Sequence, residues 1–320
     1  MVNTVDWQHR GPLRRRILRA APIALFAVLI CAVGFRSERF LTGENAAQIV
    51  SQAAPTVVVA VGMTFVLLTG GVDLSVGAVM FIAAGLAGRL SLAGWPLGVC
   101  SAVMLGTGLA AGLVNSALVT RFKLIPFVAT LATLYVGRGV GRWVTETRAI
   151  NLPESFFALG AGSWFGIPIV AWVAGVVAIA GQVVLSSTPL GRQIYALGAN
   201  PEAARKAGVN ITRVTAAVYA ISGLCAGIGG LLALSRLGAV SPRFGELYEF
   251  DAITATVLGG TSLYGGHGRV LPGAVVGALL LKGIFSALVS IDANPYLYPL
   301  ITATIIFAAV LVDTLRARLG

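Results

Sequence analysis

Hydrophobic residues occur along this chain in long runs, separated by short polar segments that hold most of the charges. A helix needs about 20 apolar residues to cross the hydrocarbon core of a bilayer, so each long run is a candidate span. Ten runs qualify, namely 18–35, 46–68, 71–90, 95–119, 125–143, 166–186, 213–236, 250–264, 270–290 and 295–314. The eighth is short and polar at its end, so nine spans with a re-entrant segment is the alternative. The pattern predicts an all-α polytopic membrane protein with about ten transmembrane helices.

Composition agrees with this fold class. The chain is 57% hydrophobic and only 11% charged, whereas a soluble domain carries roughly a quarter charged residues. Its net charge of +11 does not indicate a nucleic-acid surface, because most Lys and Arg residues lie at the ends of the apolar runs. The basic residues at 10–19 and the first apolar run resemble a signal peptide. However, no A-x-A cleavage site is evident, so we expect an uncleaved first span.

The distribution of basic residues predicts the orientation. With the N-terminus in the cytoplasm, 14 of the 23 Lys and Arg residues face the cytoplasm, 8 face outside, and Lys282 lies within a span. Both termini are therefore expected to be cytoplasmic. The predicted organisation is a basic cytoplasmic segment 1–17, a transmembrane domain 18–316 with a cytoplasmic loop 187–212, and a cytoplasmic tail 317–320.

A polar, basic segment at 188–214 stands out from this apolar background. Within it, Asn200 can cap a helix and Pro201 suits the first helical position. Glu202 would face the positive end of the helix dipole, and Gly208 can adopt the left-handed stop. The segment predicts a short helix of about two turns, suited to docking into another protein. A loop helix that lies at the membrane surface is the alternative.

A second feature is the sequence LLTGGVDLSVGAV, in which Gly70 and Gly71 interrupt an apolar run just before Asp73 and Ser75. A charge at membrane depth is costly, so it normally lines a cavity, forms a pair or lies at a helix break. One interpretation is a tight turn, with Asp73 capping a helix that begins at Leu74. The other is a broken helix that lines a permeation path, as in many transporters.

The glycine-rich sequence LGGTSLYGGHG at 258–268 raises the question of a nucleotide site. A P-loop requires a Lys directly after a Gly, and none of Lys123, Lys206 and Lys282 follows a glycine. We therefore expect a turn between the eighth and ninth spans. Lys282 lies within the ninth span. Its charge either lines a cavity or forms an ion pair, or its stem extends so that the charge reaches the membrane surface.

The sequence predicts neither catalytic residues nor a metal site. The three cysteines lie far apart in apolar runs without a CxxC motif, and the two histidines have no companion ligands. No nucleophile, base and orienting acid occur together, so we do not expect an enzyme.

Three of these segments together resemble the permease subunits of bacterial ABC importers for sugars, the ribose, xylose and arabinose permease family. The matching motifs are TGGVDLSVGA at 69–78, GRQIYALGANPEAARKAGVN at 191–210 and LGGTSLYGGHGRVLPGAVVGALL at 258–280. IPFVATLATLYVGRGV at 125–140 is similar as well. The resemblance extends from about Gln48 to Arg316.

The resemblance implies a permease subunit that forms the uptake path for a monosaccharide or a similar small polar solute in the bacterial inner membrane. It implies three partners besides the bilayer: a separate ATPase subunit, a second permease chain, identical or related, and a periplasmic binding protein. No nucleic-acid partner is implied. This chain would bind no cofactor itself, because ATP would be used by the ATPase subunit. An ion-gradient-driven secondary transporter is the alternative, since it would also explain Asp73 in a glycine-broken segment.

The resemblance also implies roles for individual residues. Coupling to the ATPase is expected from Gly198, Ala199, Asn200, Pro201, Glu202, Ala203, Ala204, Arg205, Lys206, Ala207 and Gly208. The translocation path or its gates are expected to involve Gly70, Gly71, Asp73, Ser75, Thr130, Thr133, Gly259, Gly260 and Thr261. The sequence names neither the sugar nor the composition of the permease dimer.

Overall fold

The structure is a computed structural model that describes residues 40–297 and, beyond them, Gly34, Ser37, 300–305, Phe307, Leu311 and Thr314. The predicted cytoplasmic segment 1–17, all of the first span except Gly34, and the tail 317–320 therefore lie outside the described residues. The last predicted span is described in part, and its residues 300–305 are helical.

The chain divides into two compact units. The larger unit comprises Ala47–Lys282 and contains all the motifs discussed above. The smaller unit comprises Met1–Ala46 and Gly283–Gly320. Within it, the Asn45 side chain donates to the Phe40 carbonyl oxygen at 2.7 Å and accepts a hydrogen bond from the Ser286 hydroxyl at 2.8 Å.

The described residues are mainly helical. The α-helices are α1 (Gly43–Leu68), α2 (Val76–Leu92), α3 (Leu97–Thr120), α4 (Pro126–Thr145), α5 (Glu154–Ala161), α6 (Ile169–Ser187), α7 (Pro189–Ala199), α8 (Pro201–Lys206), α9 (Ile211–Leu237), α10 (Tyr248–Leu258) and α11 (Val275–Ser290). A π-helical turn, Val270–Ala274, precedes α11, and a 3₁₀ turn, Pro295–Leu297, follows it.

Four two-residue strands supplement these helices. Strand β1 (Ile150–Asn151) pairs antiparallel with β4 (Ala239–Val240), with Ile150 opposite Val240. Strand β2 (Ser163–Trp164) pairs with β3 (Ile167–Pro168) in a small hairpin. These strands lie in loops between helices, so the apolar segments that the structure describes are mainly helical.

Five helical segments within the described residues are long and apolar enough to cross a membrane: α1, α3, α6, α9 and the segment Val270–Ser290. They match the second, fourth, sixth, seventh and ninth predicted spans, which identifies a multi-pass membrane protein. Helix α2 is apolar but has only 17 residues. Helix α4 has 20 residues and carries Arg138 and Arg142 within them.

The eighth predicted span, 250–264, is not a full helical span. Helix α10 ends at Leu258, because the chain turns at Gly259 and Gly260, and Gly260 has a φ of 91°. Its 11 residues correspond to a length of about 16 Å, which is well short of the roughly 30 Å of a bilayer core. This short helix agrees with the alternative of nine spans with a re-entrant segment, and the re-entrant path itself stays a prediction.

Glycines allow α3 and α9 to pack with their backbones in contact. Gly108 lies against the backbone of Gly223 and Gly227, and Gly112 lies against the carbonyl group of Tyr219. A Cβ atom at any of these glycines would overlap or crowd the facing main chain. Small residues spaced four apart on each helix thus allow α3 and α9 to approach closely, as is common between membrane helices.

Candidate functional site

A break between α1 and α2 contains Asp73, whose side chain is buried with 1% exposure. The turn uses Gly70, which has a φ of 75° in the left-handed region that favours glycine. Helix α2 begins at Val76, whereas the tight-turn interpretation of the sequence placed its start at Leu74. The reason is local, because the Asp73 carboxyl binds the main chain of Ser75 and holds these residues outside the helix.

Both oxygens of the Asp73 carboxyl accept hydrogen bonds. Oδ1 accepts from the Ser75 amide at 3.0 Å and from the Ser75 hydroxyl at 2.6 Å. Oδ2 accepts from the hydroxyl of Ser222 on α9 at 2.7 Å. Such contacts compensate the cost of burying a polar group in a membrane protein. Asp73 therefore connects the break to α9.

The network continues from Ser75 to two further helices. Asn115 on α3 donates its amide N–H to the Ser75 hydroxyl at 2.8 Å. Thr133 on α4 donates to the Asn115 amide oxygen at 2.6 Å. We call Asp73, Ser75, Asn115, Thr133 and Ser222 the Asp73 network. It links the break to α3, α4 and α9 through polar side chains inside an apolar bundle.

Thr130 forms a separate contact between α4 and the break. Its hydroxyl lies 3.2 Å from the carbonyl oxygen of Val72 and 3.0 Å from that of Pro126, and the residue is fully buried. The structure thus places four of the predicted path residues, Asp73, Ser75, Thr130 and Thr133, in or beside one buried polar region.

Sequence reasoning missed Asn115, Ser222 and Tyr219. Asn115 and Ser222 are each 1% exposed, although they lie in apolar spans. A polar residue within an apolar span usually has a polar partner on another helix. Their occurrence in apolar runs could therefore have marked both residues as members of a polar contact. Tyr219 has a buried hydroxyl with no hydrogen-bond partner among the described residues. A Cβ built on Gly71 would lie 3.1 Å from that hydroxyl oxygen.

The three predicted motifs meet where α1 ends. Gly198, near the end of α7, lies against the Leu68 carbonyl group, and the Gly266 amide donates to the Leu68 carbonyl oxygen at 2.9 Å. A Cβ at Gly265 would lie 3.0 Å from the Gly70 nitrogen and 3.0 Å from the Gly198 carbonyl oxygen. We call Leu68, Gly70, Gly198, Gly265 and Gly266 the glycine junction. Only main-chain atoms form these contacts, because glycine has no side chain.

Helix α8 has the start and stop that the sequence predicts. The Asn200 side chain accepts from the Ala203 amide at 2.9 Å, and Pro201 is the first helical residue. Gly208 has a φ of 85°, so it adopts the left-handed conformation after the helix. The helix has 6 residues, which agrees with the predicted length of about two turns. Glu202 and Lys206 form an exposed i, i+4 ion pair at 3.3 Å.

The three alanines in and directly after α8 differ in their exposure. Ala203 and Ala207 are exposed, whereas Ala204 is buried with 4% exposure. The Ala204 carbonyl oxygen also accepts from the Val209 amide at 3.0 Å. Ala204 therefore packs within this chain, and the exposed surface of α8 contains Ala203 and Ala207.

Gly259, Gly260 and Thr261 lie in the turn after α10. Gly259 packs against Gly273, and the Thr261 amide donates to the Thr256 carbonyl oxygen at 3.1 Å. Thr261 is 1% exposed, and its hydroxyl has no hydrogen-bond partner among the described residues. These three residues thus form the turn at α10 and do not belong to the Asp73 network.

Lys282 forms a pair within the larger unit. Its Nζ lies 2.5 Å from Asp251 Oδ2, and the two side chains are only 13% and 15% exposed. Nζ also lies 5.7 Å from the centre of the Tyr248 ring. Of the two interpretations left open by the sequence, the structure shows the ion-paired one.

Arg138 on α4 has no such acidic partner in hydrogen-bond contact among the described residues. Its guanidinium group donates to the carbonyl oxygens of Phe244 and Gly245 at 2.6 and 2.7 Å.

Comparison with known proteins agrees with a transport role. A sequence profile described as branched-chain amino acid transport system / permease component matches residues 45–312. The ribose import permease protein RbsC of Haemophilus influenzae is 36% identical over 291 residues, covering 89% of this chain and 90% of that protein. The same protein of Bacillus subtilis is 35% identical over 300 residues, or 92% of each chain.

A third relative is the galactofuranose transporter permease protein YtfT of Escherichia coli. It is 38% identical over 272 residues, covering 84% of this chain and 79% of that protein. No solved structure matches the chain. The profile match covers most of the sequence and both the Asp73 break and the glycine junction. The chain therefore belongs to the family of permease components of the branched-chain amino acid transport type, and it is a transport subunit and not an enzyme.

Proposed function

We propose that this chain is the transmembrane permease subunit of an ATP-binding cassette importer in a bacterial inner membrane. It forms the path by which a monosaccharide, or a similar small polar solute, enters the cell. The named roles of the relatives support this substrate class, because they are permeases for ribose and galactofuranose. The observation that carries the proposal is the glycine junction, which connects the exposed helix α8 to the buried Asp73 break.

In this proposal α8 and its flanking residues, 199–208, contact a separate ATPase subunit on the cytoplasmic side, while Gly198 packs against the main chain of Leu68 and Gly266 within this chain. The exposed Ala203 and Ala207 leave room for a close approach, and the charges of Glu202, Arg205 and Lys206 surround them. ATP is bound by the partner subunit, so this chain needs no nucleotide site. A short capped helix on a loop suits such docking, since its main-chain groups are already satisfied.

The path runs along the exposed face of α4. Tyr135 is 70% exposed and is the tenth of the 20 residues of α4, so it lies near the middle of that helix. Its hydroxyl requires a hydrogen-bonding partner, which lipid chains do not supply but water and sugars do. The other exposed side chains beside it on α4, such as Val128 and Val136, are apolar, as are Leu113 on α3 and Ile179 on α6, so the path is inferred from Tyr135 alone.

Two further partners complete the proposed importer. A second permease chain, identical or related, encloses the path together with this one. A periplasmic binding protein delivers the solute and selects it, so the permease itself needs only weak contacts with the sugar. The Asp73 network and Thr130 then position the broken segment beside the path, while Gly259, Gly260 and Thr261 shape the turn at α10.

An ion-gradient-driven transporter is the competing function. It requires an intramembrane acid that is free to bind a proton or a cation. Asp73 instead accepts three hydrogen bonds, and Asp251 is paired with Lys282. The buried Glu249 keeps one carboxyl oxygen without a hydrogen-bond partner among the described residues. The partners of Asp73 and Asp251 favour the ATP-driven importer.

Uptake of radiolabelled pentoses and hexoses tests the proposal. Vesicles would contain this chain with and without a candidate ATPase subunit and a candidate binding protein. We expect uptake that requires both partners and ATP. Uptake by the chain alone, lost when the proton or sodium gradient is dissipated, would establish the secondary transporter in its place.

A further inference from the structure

The end of α1 is in direct main-chain contact with α7. A Cβ added to Gly198 would overlap both the Leu68 carbonyl oxygen and the Gly266 nitrogen. Side chains absorb small displacements by changing rotamer, whereas main-chain atoms in contact cannot. A shift of α7 is therefore passed to the last residue of α1 without loss in flexible side chains.

Helices α7 and α8 are joined through a single residue that bonds to both, so we treat them as one rigid segment. Only Asn200 separates them, and its amide donates to the Ala196 carbonyl oxygen of α7 at 3.1 Å. Its side chain meanwhile accepts from the Ala203 amide of α8. On α7, the Tyr195 hydroxyl donates to the Gly268 carbonyl oxygen at 2.7 Å, which attaches the glycine-rich turn to the same helix.

Four residues separate Leu68 from Asp73. Within them, the Gly71 amide donates to the Val66 carbonyl oxygen at 3.2 Å, and Gly71 packs beside the Tyr219 hydroxyl. The hydrogen bonds of the Asp73 network measure 2.6 to 3.0 Å. Bonds of this kind weaken steeply once donor and acceptor separate by much more than about 3.2 Å. A displacement of roughly one ångström at the break is therefore enough to break these hydrogen bonds and to allow others to form.

We propose that the glycine junction transmits movement of α8 to the Asp73 network, and that Gly198 and Tyr195 are positioning residues for this coupling. The inference rests on the proposed function, because it assumes that the ATPase subunit moves α8. Closure of the ATPase shifts α7 and α8 together, α7 displaces the Leu68 carbonyl group, and the break between α1 and α2 moves. The Asp73 network then changes its hydrogen bonds to α3, α4 and α9. This makes the junction part of a two-state element that both ATP and the transported solute can bias.

The test compares two glycine variants in the reconstituted importer. Gly198→Ala introduces a methyl group into the junction, whereas Gly106→Ala introduces one on α3, where nothing lies within 4 Å of the added Cβ. The measured quantity is solute transported per ATP hydrolysed, together with retention of the ATPase subunit on purified permease. We expect Gly198→Ala to retain the ATPase subunit and to hydrolyse ATP, with transport per ATP reduced about tenfold. Gly106→Ala should behave like the natural chain.

A second variant covers the case in which Gly198→Ala does not assemble. Tyr195→Phe removes only the hydroxyl that binds Gly268, and we expect transport per ATP to fall about threefold at an almost unchanged melting temperature. A merely structural contact would lower stability without altering this ratio.

The outcomes separate the two proposals. If the natural chain shows no ATP-dependent uptake, the importer function fails and the coupling role fails with it. If the natural chain transports while an assembled Gly198→Ala variant keeps the same transport per ATP as Gly106→Ala, the importer stands and the junction is not the coupling route. An unchanged ratio in Tyr195→Phe, where Gly198→Ala does not assemble, would also overturn the inference.

Discussion

Replacing Ser222 by Ala should destabilise the bundle through Asp73. The substitution removes the hydroxyl that donates to Asp73 Oδ2 at 2.7 Å, and the carboxyl group is only 1% exposed. A buried acceptor that loses its donor costs about 1–3 kcal/mol in soluble proteins. Hydrogen bonds between membrane helices average about 0.6 kcal/mol, with a maximum near 1.7. We therefore expect a loss of about 1–2 kcal/mol in the free energy of unfolding.

Reversible unfolding in bicelles, titrated with a denaturing detergent, measures this loss. Ser235→Ala is the matched control, because Ser235 is also on α9, is 1% exposed, and bonds only the Leu232 carbonyl oxygen nearby at 2.9 Å. A double-mutant cycle with Asp73→Ala isolates the pair. Without the Asp73 carboxyl, Ser222→Ala should cost almost nothing, so the coupling energy should equal about 1–2 kcal/mol.

Two results would refute the reasoning. Equal costs of Ser222→Ala with and without the Asp73 carboxyl would mean that the two side chains do not interact in the membrane. A loss in Ser235→Ala as large as that in Ser222→Ala would mean that any buried serine of α9 costs this much. In either case the Asp73 network would not connect the break to α9.

Other predictions concern separate parts of the molecule. Lys282→Met leaves the Asp251 charge without its cation, so it should destabilise the protein by about 3–5 kcal/mol in an unfolding titration, and adding Asp251→Leu should recover most of the loss. Ala203→Trp should prevent co-purification of the ATPase subunit while the melting temperature is kept, because Ala203 is exposed; normal ATP-dependent uptake would refute the docking role of α8. In a chain without its native cysteines, Tyr135→Cys should react with a charged thiol reagent at least about tenfold faster than Ile179→Cys, since thiolates form in water and not in lipid, and equal rates would contradict the path along α4.

Local rules in the sequence predicted the local features of the site. The Asn200 cap, Pro201 at the first helical position and left-handed Gly208 all follow from interactions within a few residues, and the structure confirms them. The long apolar runs likewise predicted the five spans, because a continuous apolar segment of this length has few alternatives in a membrane protein. The role of the docking segment itself stays a prediction.

Contacts between distant segments were not predictable in the same way. Asn115 and Ser222 join the Asp73 network across separations of 40 and 149 residues in the sequence. Nothing in their immediate neighbours identifies these partners, since tertiary packing alone brings the segments together. No local pattern indicates that Gly108 on α3 faces Gly223 on α9 either. The sequence did indicate that the eighth run is short, and the turn at Gly260 is where its helix has ended.

The hydrogen bonds to Asp73 give its buried carboxyl group a structural role. Three donors hold the two oxygens, and two of these donors belong to Ser75, which directly precedes α2. An acid satisfied in this way is a poor cation site, because a cation would have to displace hydrogen bonds that the apolar surroundings cannot replace. The same hydrogen bonds hold the break in one position relative to α9. In the proposed coupling, this position also depends on the main chain near Leu68, which the glycine junction contacts. In the proposed importer, energy supplied at α8 moves the break between discrete arrangements, whereas an ion-driven transporter would need a binding site for the ion to do so.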